Sequence, residues 1–362
     1  MTSPADTAAA RPADTGPGAA HRPAAWVRTR LRAAPLAALL TAVLAFGTVF
    51  LAAAFPRLLD RTADQGLRDY LRDRGPAATS ILATAALGGD GTGPGGGELG
   101  DDTKRLDEDA ARFAAHTGVL GVAPGGPVYG ARSGKPRVLT NPGLARPDDA
   151  DPDLDLLYVQ GLRDHVTLAE GTWPGTPVPK KPVPIAISRH VAETVGIHLG
   201  DVLKTGSTSA DDEAPQARVV GIVEVNDQDD PYWSDLPCPN RACLRFTTGK
   251  RPAAYWHSAG LVDGSALGRI KTWQTGAQDF WRLPVDVDGL RADRLAETRR
   301  QLNSYLTGDT ANALANATER AGLQISSPLP QMLRQAIDRQ RAAAPIASIG
   351  RAGNPDTMDG VD

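Results

Sequence analysis

The sequence predicts an α+β protein in which a single N-terminal transmembrane helix precedes a large mixed α/β domain. Three observations predict this fold class. Residues 33–56 include no charged side chain, the middle of the chain alternates strand-like and helix-like segments, and helical periodicity returns after residue 290. Of the 362 residues, 41% are hydrophobic and 22% are charged, so the chain is long enough and apolar enough to bury a core.

The uncharged segment predicts a transmembrane helix over residues 33–55. Its apolar side chains include Leu36, Leu40, Val43, Phe46 and Phe50. A helix of this length, rising ~1.5 Å per residue, crosses a hydrocarbon core of ~30 Å. A cleaved signal peptide is an alternative because Arg28, Arg30 and Arg32 precede the segment, although signal peptides typically have apolar regions of only ~7–15 residues. A buried core helix is a third interpretation.

The orientation of this helix is predicted from the domain that follows it. Arginines flank the helix on both sides, so the positive-inside rule does not choose. A long domain is translocated largely regardless of its charges. We therefore expect a single-pass plasma-membrane protein with a disordered cytoplasmic leader over residues 1–25 and the bulk of the chain outside the cytoplasm.

Beyond the membrane, residues 56–76 are predicted to form a stalk helix. Leucines at positions 58, 59, 67 and 71 recur with helical spacing, and Gly75 and Pro76 end the pattern. A solvated spacer is the alternative. A second group of stalk helices is predicted over residues 290–345, with Gly308 as an interruption, followed by a disordered tail over residues 346–362.

Residues 77–289 are predicted to form the mixed α/β domain. Predicted strands cover residues 79–85, 156–159, 165–168, 183–187, 202–204 and 217–225, with a possible hairpin from 118–122 and 128–139. Predicted helices cover residues 102–116, with Leu106, Ala110 and Phe113 on one face, and 189–197, with Ser188 as the N-cap. The glycine-rich residues 88–100 are interpreted as a linker, because no Lys-Ser/Thr pair follows them to bind phosphate.

Four aspartates alternate along the chain at positions 149, 151, 153 and 155. Carboxylates at this spacing could coordinate calcium. However, Leu154 occupies the position that requires glycine, and Gln160 occupies the position of the closing glutamate. The segment is therefore predicted to be an acidic, solvated loop.

The two cysteines, Cys238 and Cys243, lie five positions apart in a turn-rich segment. We predict a disulfide between them in an oxidising compartment, with two free thiols as the alternative. Zinc is disfavoured because two further ligands at finger-like spacing are absent.

The remaining chemistry argues against an enzyme. The sequence has no nucleophile elbow, no His-Glu-x-x-His and no Walker A motif. Histidines 165, 190, 198 and 257 could act as general bases but are more typical of structural positions, and the aromatic residues near 232, 255, 273 and 280 are expected to pack in the core rather than bind a ligand. The net charge of −3 is small, and the charged residues are spread along the chain. A nucleic-acid-binding protein would need a basic face or stripe. We expect no catalytic residue, cofactor or metal.

One block of the sequence resembles the periplasmic core domain of FtsX-like, MacB-type ABC transporter permeases. It comprises Val-Pro-Ile-Ala-Ile-Ser at 183–188, Val-Ala-Glu-Thr-Val-Gly-Ile at 191–197, Leu-Gly-Asp-Val-Leu at 199–203 and Arg-Val-Val-Gly-Ile-Val at 218–223. The resemblance extends more weakly over residues 26–349. It implies mixed α/β subdomains on helical stalks. If the resemblance holds, the helix that follows residue 56 and the helix over 331–344 should lie side by side at the bilayer surface. Leucines 58, 59, 67 and 71 would then face Leu333 and Ile337.

The resemblance also implies a transport role with an ABC-type ATPase subunit and other permease segments as partners. In that role the extracytoplasmic domain would couple ATP-driven motion to efflux or to lipid or peptide handling. The further transmembrane helices of the family are not in this sequence, so it resembles a truncated or split permease. A single-pass, membrane-anchored binding or scaffold protein is the alternative.

Overall fold

The computed structural model describes residues 35–88, 103–206 and 214–343, and at a few of these positions in the first and last helices only the backbone. The predicted leader over 1–25, the tail over 346–362 and most of the glycine-rich linker lie outside the described residues. The chain divides into two compact units, residues 1–59 and 60–362.

The first unit contains the beginning of helix α1, Pro35–Asp73. The five apolar side chains singled out in the sequence are exposed here, from 59% for Phe50 to 73% for Leu36. The rings of Phe46 and Phe50 stack along the helix, with centroids 6.2 Å apart. Within the described residues, no helix combines the length and apolar character needed to cross a membrane.

The second unit is a mixed α/β structure, which confirms the α/β part of the predicted fold class. The described strands all belong to one twelve-stranded sheet, in which nine strands follow the order β12-β1-β11-β2-β4-β10-β6-β8-β5 and β3, β7 and β9 pair with β4, β8 and β10. The strands are β1 Ser80–Ala86, β2 Val128–Arg132, β3 Arg137–Val138, β4 Asp153–Val159, β5 Val166–Gly171, β6 Val183–Ser188, β7 Val202–Lys204, β8 Gln216–Val225, β9 Cys243–Phe246, β10 Ala254–Leu261, β11 Gln278–Pro284 and β12 Gln324–Ser326.

Eight further α-helices in the described residues accompany the sheet. They are α2 Gly75–Thr79, α3 Thr103–Ala115, α4 Leu162–His165, α5 Arg189–Val195, α6 Leu267–Trp273, α7 Leu295–Thr307, α8 Asp309–Thr318 and α9 Leu329–Ala343. The predicted N-cap is confirmed, because Ser188 Oγ accepts a hydrogen bond from the Val191 amide at 3.2 Å. The sequence also correctly predicted the break at Gly308 between α7 and α8.

Two parallel pairs in the sheet determine where its functional surfaces lie. Strand β4 runs parallel to β10, with His257 opposite Asp153 and Leu261 opposite Leu157. Strand β6 runs parallel to β8. The other pairings are antiparallel. Because β4 and β10 point the same way, the loops that follow both strands leave the sheet at the same end.

The core consists of two clusters of buried side chains. The larger one joins α3, α7 and the sheet through Phe113, Trp281 and Tyr305, which are fully buried. Tyr305 donates a hydrogen bond to the Phe113 carbonyl at 2.7 Å, so its hydroxyl is satisfied inside the core. The predicted apolar face of α3, Leu106 with Ala110 and Phe113, is buried as expected. Helices α7 and α8, predicted as stalk helices, contribute to this same core.

The predicted hairpin over residues 118–139 is wrong. Residues Gly118–Leu120 form a 3-10 turn, and Val122 forms an isolated bridge with Val285. Strand β2 pairs with β11 and β4 instead. Glycines with positive φ at 121, 125 and 126 interrupt the extended backbone, so the apolar residues on either side pair with strands distant in sequence.

The backbones of β2 and β4 approach so closely at Gly130 that the sheet requires glycine at this position. A Cβ atom at Gly130 would lie 1.9 Å from the Tyr158 carbonyl oxygen, which is backbone and cannot rotate away. We expect Gly130→Ala to lower the free energy of unfolding by at least about 2 kcal/mol, measured by urea titration. The matched control is Gly66→Ala in α1, where a Cβ meets nothing within 4 Å and alanine favours the helix. Equal stability of the two variants would contradict this account.

Candidate functional site

A cleft of about 420 Å³ opens beyond the carboxyl ends of β4 and β10. Both strands end on buried residues, Val159 and Leu261. The loops that follow β4 and β10 then diverge and form the walls of the cleft. In α/β proteins the crevice beyond the carboxyl ends of parallel strands is the usual place for a ligand. The topology therefore makes this cleft the candidate binding site.

The cleft is lined by aromatic and polar side chains from several elements. Arg163 lies over the indole of Trp173, with its guanidinium carbon 5.0 Å from the ring centroid. On the other wall, Asp263 accepts hydrogen bonds from the Ser265 amide at 2.9 Å and the Ser265 hydroxyl at 2.6 Å. The Tyr158 hydroxyl donates to Gln160 Oε1. Aromatic surface thus lies beside a fixed cation and a fixed carboxylate.

The charge states of these groups follow from their surroundings. Burial raises the pKa of Tyr158 to about 12, and the nearby Asp107 and Asp263 charges act in the same direction. Burial alone would also raise the pKa of Asp263, but the hydrogen bonds from Ser265 and the charge of Arg163 outweigh it, so this pKa is lowered. Near neutral pH the cleft therefore presents an un-ionised phenol, whose proton is donated to Gln160, beside an ionised carboxylate that can accept a hydrogen bond from a polar ligand.

A buried polar cluster occupies the opposite, amino-terminal end of the same two strands. His257 Nδ1 lies 2.6 Å from Asp153 Oδ1, and His257 Nε2 lies 3.6 Å from Asp155 Oδ2. Ser133 donates to Asp155 Oδ1 at 2.8 Å and accepts from the Leu156 amide. His257, Asp153 and Asp155 are each less than a tenth exposed. The parallel register brings these side chains together on one face of the sheet.

The prediction of a solvated acidic loop is therefore wrong for two of its four aspartates. Asp153 and Asp155 belong to β4 and are buried, whereas Asp149 and Asp151 precede the strand and are exposed. The alternation Asp153-Leu154-Asp155-Leu156 has the period of a strand. It was missed because carboxylates are rarely buried without a partner, and the partner, His257, lies about a hundred residues away in the sequence.

The loop that precedes β9 is joined to the first residue of that strand by a disulfide. Cys238 and Cys243 form a disulfide, with Cα atoms 6.0 Å apart. Buried Arg282 donates to the carbonyls of Pro231, Tyr232 and Ser234. The Tyr232 ring stacks on His165, with centroids 3.7 Å apart. The predicted packing role of the aromatic residues is confirmed for Tyr232 and Trp233, as well as for Trp273, Phe280 and Trp281 in the core.

The second unit contains contacts between α1 and α9, the helices of the two predicted stalks, whereas the side chains of Leu58 and Leu59, which the prediction places at their seam, lie outside the described residues. Tyr70 of α1 donates a hydrogen bond to Gln335 Oε1 of α9 at 2.7 Å, and the Arg339 guanidinium carbon lies 4.5 Å from the Tyr70 ring centroid. Leu67, Leu71 and Leu333 are buried in the same cluster. Ser327, just before α9, contacts Ser80, which follows α2. The start of α9 thus lies beside the start of β1, and its middle lies beside Tyr70.

Groups of histidine, cysteine, aspartate and glutamate suited to a metal ion are absent from the described residues. Comparison with protein-family models gives no match. Comparison with curated proteins gives no significant match.

The buried cluster predicts a specific pH dependence of stability. Burial raises the pKa of Asp155 to about 6 from its ordinary 3.8, although His257 and the Ser133 hydrogen bond oppose the shift. The folded protein therefore binds this proton more tightly than the unfolded chain does. The stability that Asp155 contributes is present below pH 3.8 and is lost as the pH rises through about 6.

We expect Asp155→Asn to remove this loss, because the amide does not ionise. The difference in unfolding free energy between variant and wild type should change by up to about 3 kcal/mol across this window, measured by urea titration at several pH values. Asp151→Asn, at the exposed position on the same segment, is the control and should keep the wild-type profile. If the unfolding free energy of Asp155→Asn depends on pH in the same way as that of the wild type, the assignment is contradicted.

The contact between α1 and α9 can be measured by a double-mutant cycle. Tyr70→Phe removes the hydroxyl, Gln335→Ala removes its acceptor, and the double variant removes both. We expect a coupling of about 0.5–1.5 kcal/mol in unfolding free energy. Strict additivity of the two single changes would show that the pair does not link the helices in solution.

Proposed function

We propose that this chain is the membrane-anchored, extracytoplasmic part of an ABC transporter permease of the FtsX-like, MacB type. The observation that carries the proposal is helix α1. The first part of this helix carries a run of exposed apolar side chains. Its residues from 60 to 73 belong to the second unit. Its role is mechanical: the domain couples a partner ATPase to efflux or to lipid or peptide handling, without covalent chemistry of its own.

The exposure of the apolar side chains supports the anchoring part of the proposal. Leu36, Val43 and Phe46 are each more than three-fifths exposed in the first unit. Exposure of such side chains to water costs about 1.5–3 kcal/mol each, so a run of them requires an apolar environment. The uncharged stretch begins at residue 33 and reaches spanning length. We infer that residues 33–55 cross the plasma membrane and that the N-terminus is cytoplasmic.

The contacts made by the last part of α1 support the coupling part. Besides the Tyr70 contacts with α9, Arg68 donates to the Leu290 carbonyl at 3.3 Å, and the Ala292 amide donates to Asp64 at 2.7 Å. Arg72 also pairs with Asp288. Four residues of α1 within the second unit thus contact α9 or the segment that precedes α7. This set of contacts favours a coupling role for this part of α1.

The block that carries the resemblance folds as the run of elements expected from it. It forms β6, α5, β7 and β8 in that order, with β6 and β8 parallel and β7 antiparallel to β8. The disulfide between Cys238 and Cys243 supports a location outside the cytoplasm, since such bonds persist in oxidising compartments. The alternative, a single-pass binding protein, is favoured by the cleft beyond β4 and β10.

Anchoring is tested by placing charges in the apolar segment. Each arginine at the centre of a transmembrane helix costs about 2.5–3.5 kcal/mol on insertion. Leu40→Arg/Val43→Arg should therefore move the chain from the alkali-resistant membrane fraction to the soluble fraction. Gln65→Arg/Gly66→Arg, on the exposed part of α1 outside that segment, should leave it in the membrane. Release of the wild-type chain by carbonate washing would end the proposal.

The transport role is tested on the anchored wild-type chain, purified in a mild detergent from the cells that encode it. Since the sequence has no Walker A motif, ATP hydrolysis in the preparation would come from an associated ATPase. We expect such activity with the wild type and its loss with Leu40→Arg/Val43→Arg. A wild-type chain that is retained in the membrane but brings down no ATP hydrolysis would favour the binding protein.

A further inference from the structure

The β9–β10 hairpin concentrates positive charge in a chain that is acidic overall. Residues 236–262 contain no aspartate or glutamate, although the whole chain has a net charge of −3. Four basic side chains, Arg241, Arg245, Lys250 and Arg251, are exposed there. Within the described part of the chain, none of the four forms an ion pair. Arg245 acts electrostatically on buried Asp155 without contacting it, and the exposed charges of Arg241, Lys250 and Arg251 add to the positive surface that the hairpin offers a partner.

The same hairpin exposes apolar side chains on an edge strand. Leu244 is 48% and Phe246 is 60% exposed, and the two flank Arg245 along β9. Among the described residues, β9 pairs with β10 alone. Its outer edge thus presents unpaired backbone groups beside an alternating apolar, cationic, apolar pattern. Proteins normally protect such an edge, because it is a template for another strand.

The base of the hairpin is held rigid before any partner arrives. The disulfide joins the first residue of β9 to Cys238, and Arg282 fixes the preceding loop through three carbonyls. On the other strand, His257 is opposite Cys243 and contacts Asp153. A preformed strand edge lowers the entropic cost of binding, since little of it has to be ordered on association.

A polypeptide strand fits this surface better than a lipid headgroup or a non-peptide polyanion does. Only a polypeptide can pair with the backbone groups of an open strand edge at the repeat of a sheet. The exposed apolar side chains Leu244 and Phe246, which alternate with Arg245 along β9, also match the alternating side chains of a strand.

We propose that β9 is a docking strand for an extended, acidic segment of a partner protein, which adds to its open edge as a further strand. In this arrangement a carboxylate of the partner faces Arg245, and apolar side chains of the partner cover Leu244 and Phe246. Lys250 and Arg251 attract the acidic segment to the turn. The proposal does not depend on whether α1 crosses a membrane.

The test uses a fluorescent octapeptide of alternating valine and glutamate, titrated against the full chain in a mild detergent and followed by anisotropy. We expect saturable binding that weakens at least about tenfold, equivalent to 1.4 kcal/mol, in Leu244→Ser/Phe246→Ser and in Arg245→Glu/Lys250→Glu. Because β9 lies at the surface, these variants should keep the wild-type thermal midpoint and an intact disulfide, which is checked on the same samples.

Controls separate strand addition from simple attraction. Val178→Ser, at another half-exposed apolar side chain, and Arg299→Glu/Arg300→Glu, on the exposed face of α7, should bind the octapeptide as the wild type does. The same octapeptide with alternate amides N-methylated should not bind, since it cannot pair with a strand. Vesicles containing anionic phospholipid provide the lipid comparison.

Three outcomes would overturn the proposal. The first is no binding of the octapeptide to the wild type, or binding that the β9 variants leave unchanged. The second is equal binding of the N-methylated peptide, which would show that charge alone attracts it. The third is binding to the vesicles that requires the β9 residues while the octapeptide does not bind, which would assign the hairpin to a lipid surface.

Discussion

The parallel pairing of β4 with β10 is the constraint on which the other features depend. It places His257 opposite Asp153 at one end and Leu261 opposite Leu157 at the other. One face of this pair is consequently polar at its beginning, where Asp155 also lies, and apolar at its end. A shift of one residue in register would turn the carboxylates into the apolar cluster on the other face of the sheet. The buried imidazole and carboxylates therefore specify the register.

The polar cluster specifies the register of β4 and β10, but burying it costs free energy. Carboxylates in the interior lose hydration, and the raised pKa of Asp155, about 6, reflects that loss. The Ser133 hydroxyl and the His257 ring compensate part of it. A second buried group, Arg320, solves the same problem by pairing with both Asp109 and Asp279. Breaking either arrangement leaves an uncompensated buried charge, which is why such groups restrict the alternatives open to the chain.

Local sequence patterns were sufficient to predict many helices and strands. They did not predict which of these elements pair or pack with one another. The face of α3, the Ser188 cap and the break at Gly308 depend on residues within a few positions of one another. By contrast, the burial of Asp153 and Asp155 depends on His257, and the cleft depends on two loops separated by about a hundred residues. Neither has a signature within one segment. The disulfide was predictable because its two cysteines are close in sequence and lie in a turn.

The two ends of the β4–β10 pair differ in chemistry, and this difference gives the domain a direction. At the carboxyl ends, which share an edge of the sheet with the beginning of β1, a cleft combines aromatic surface with an ionised carboxylate and a stacked guanidinium. At the amino ends, the buried cluster supports a hairpin with exposed basic and apolar side chains. Because the same two hydrogen-bonded strands carry both ends, the separation of the cleft from the buried cluster is set by the length of β4 from Asp153 to Val159. A substitution that shifts the β4–β10 register would therefore alter both ends at once.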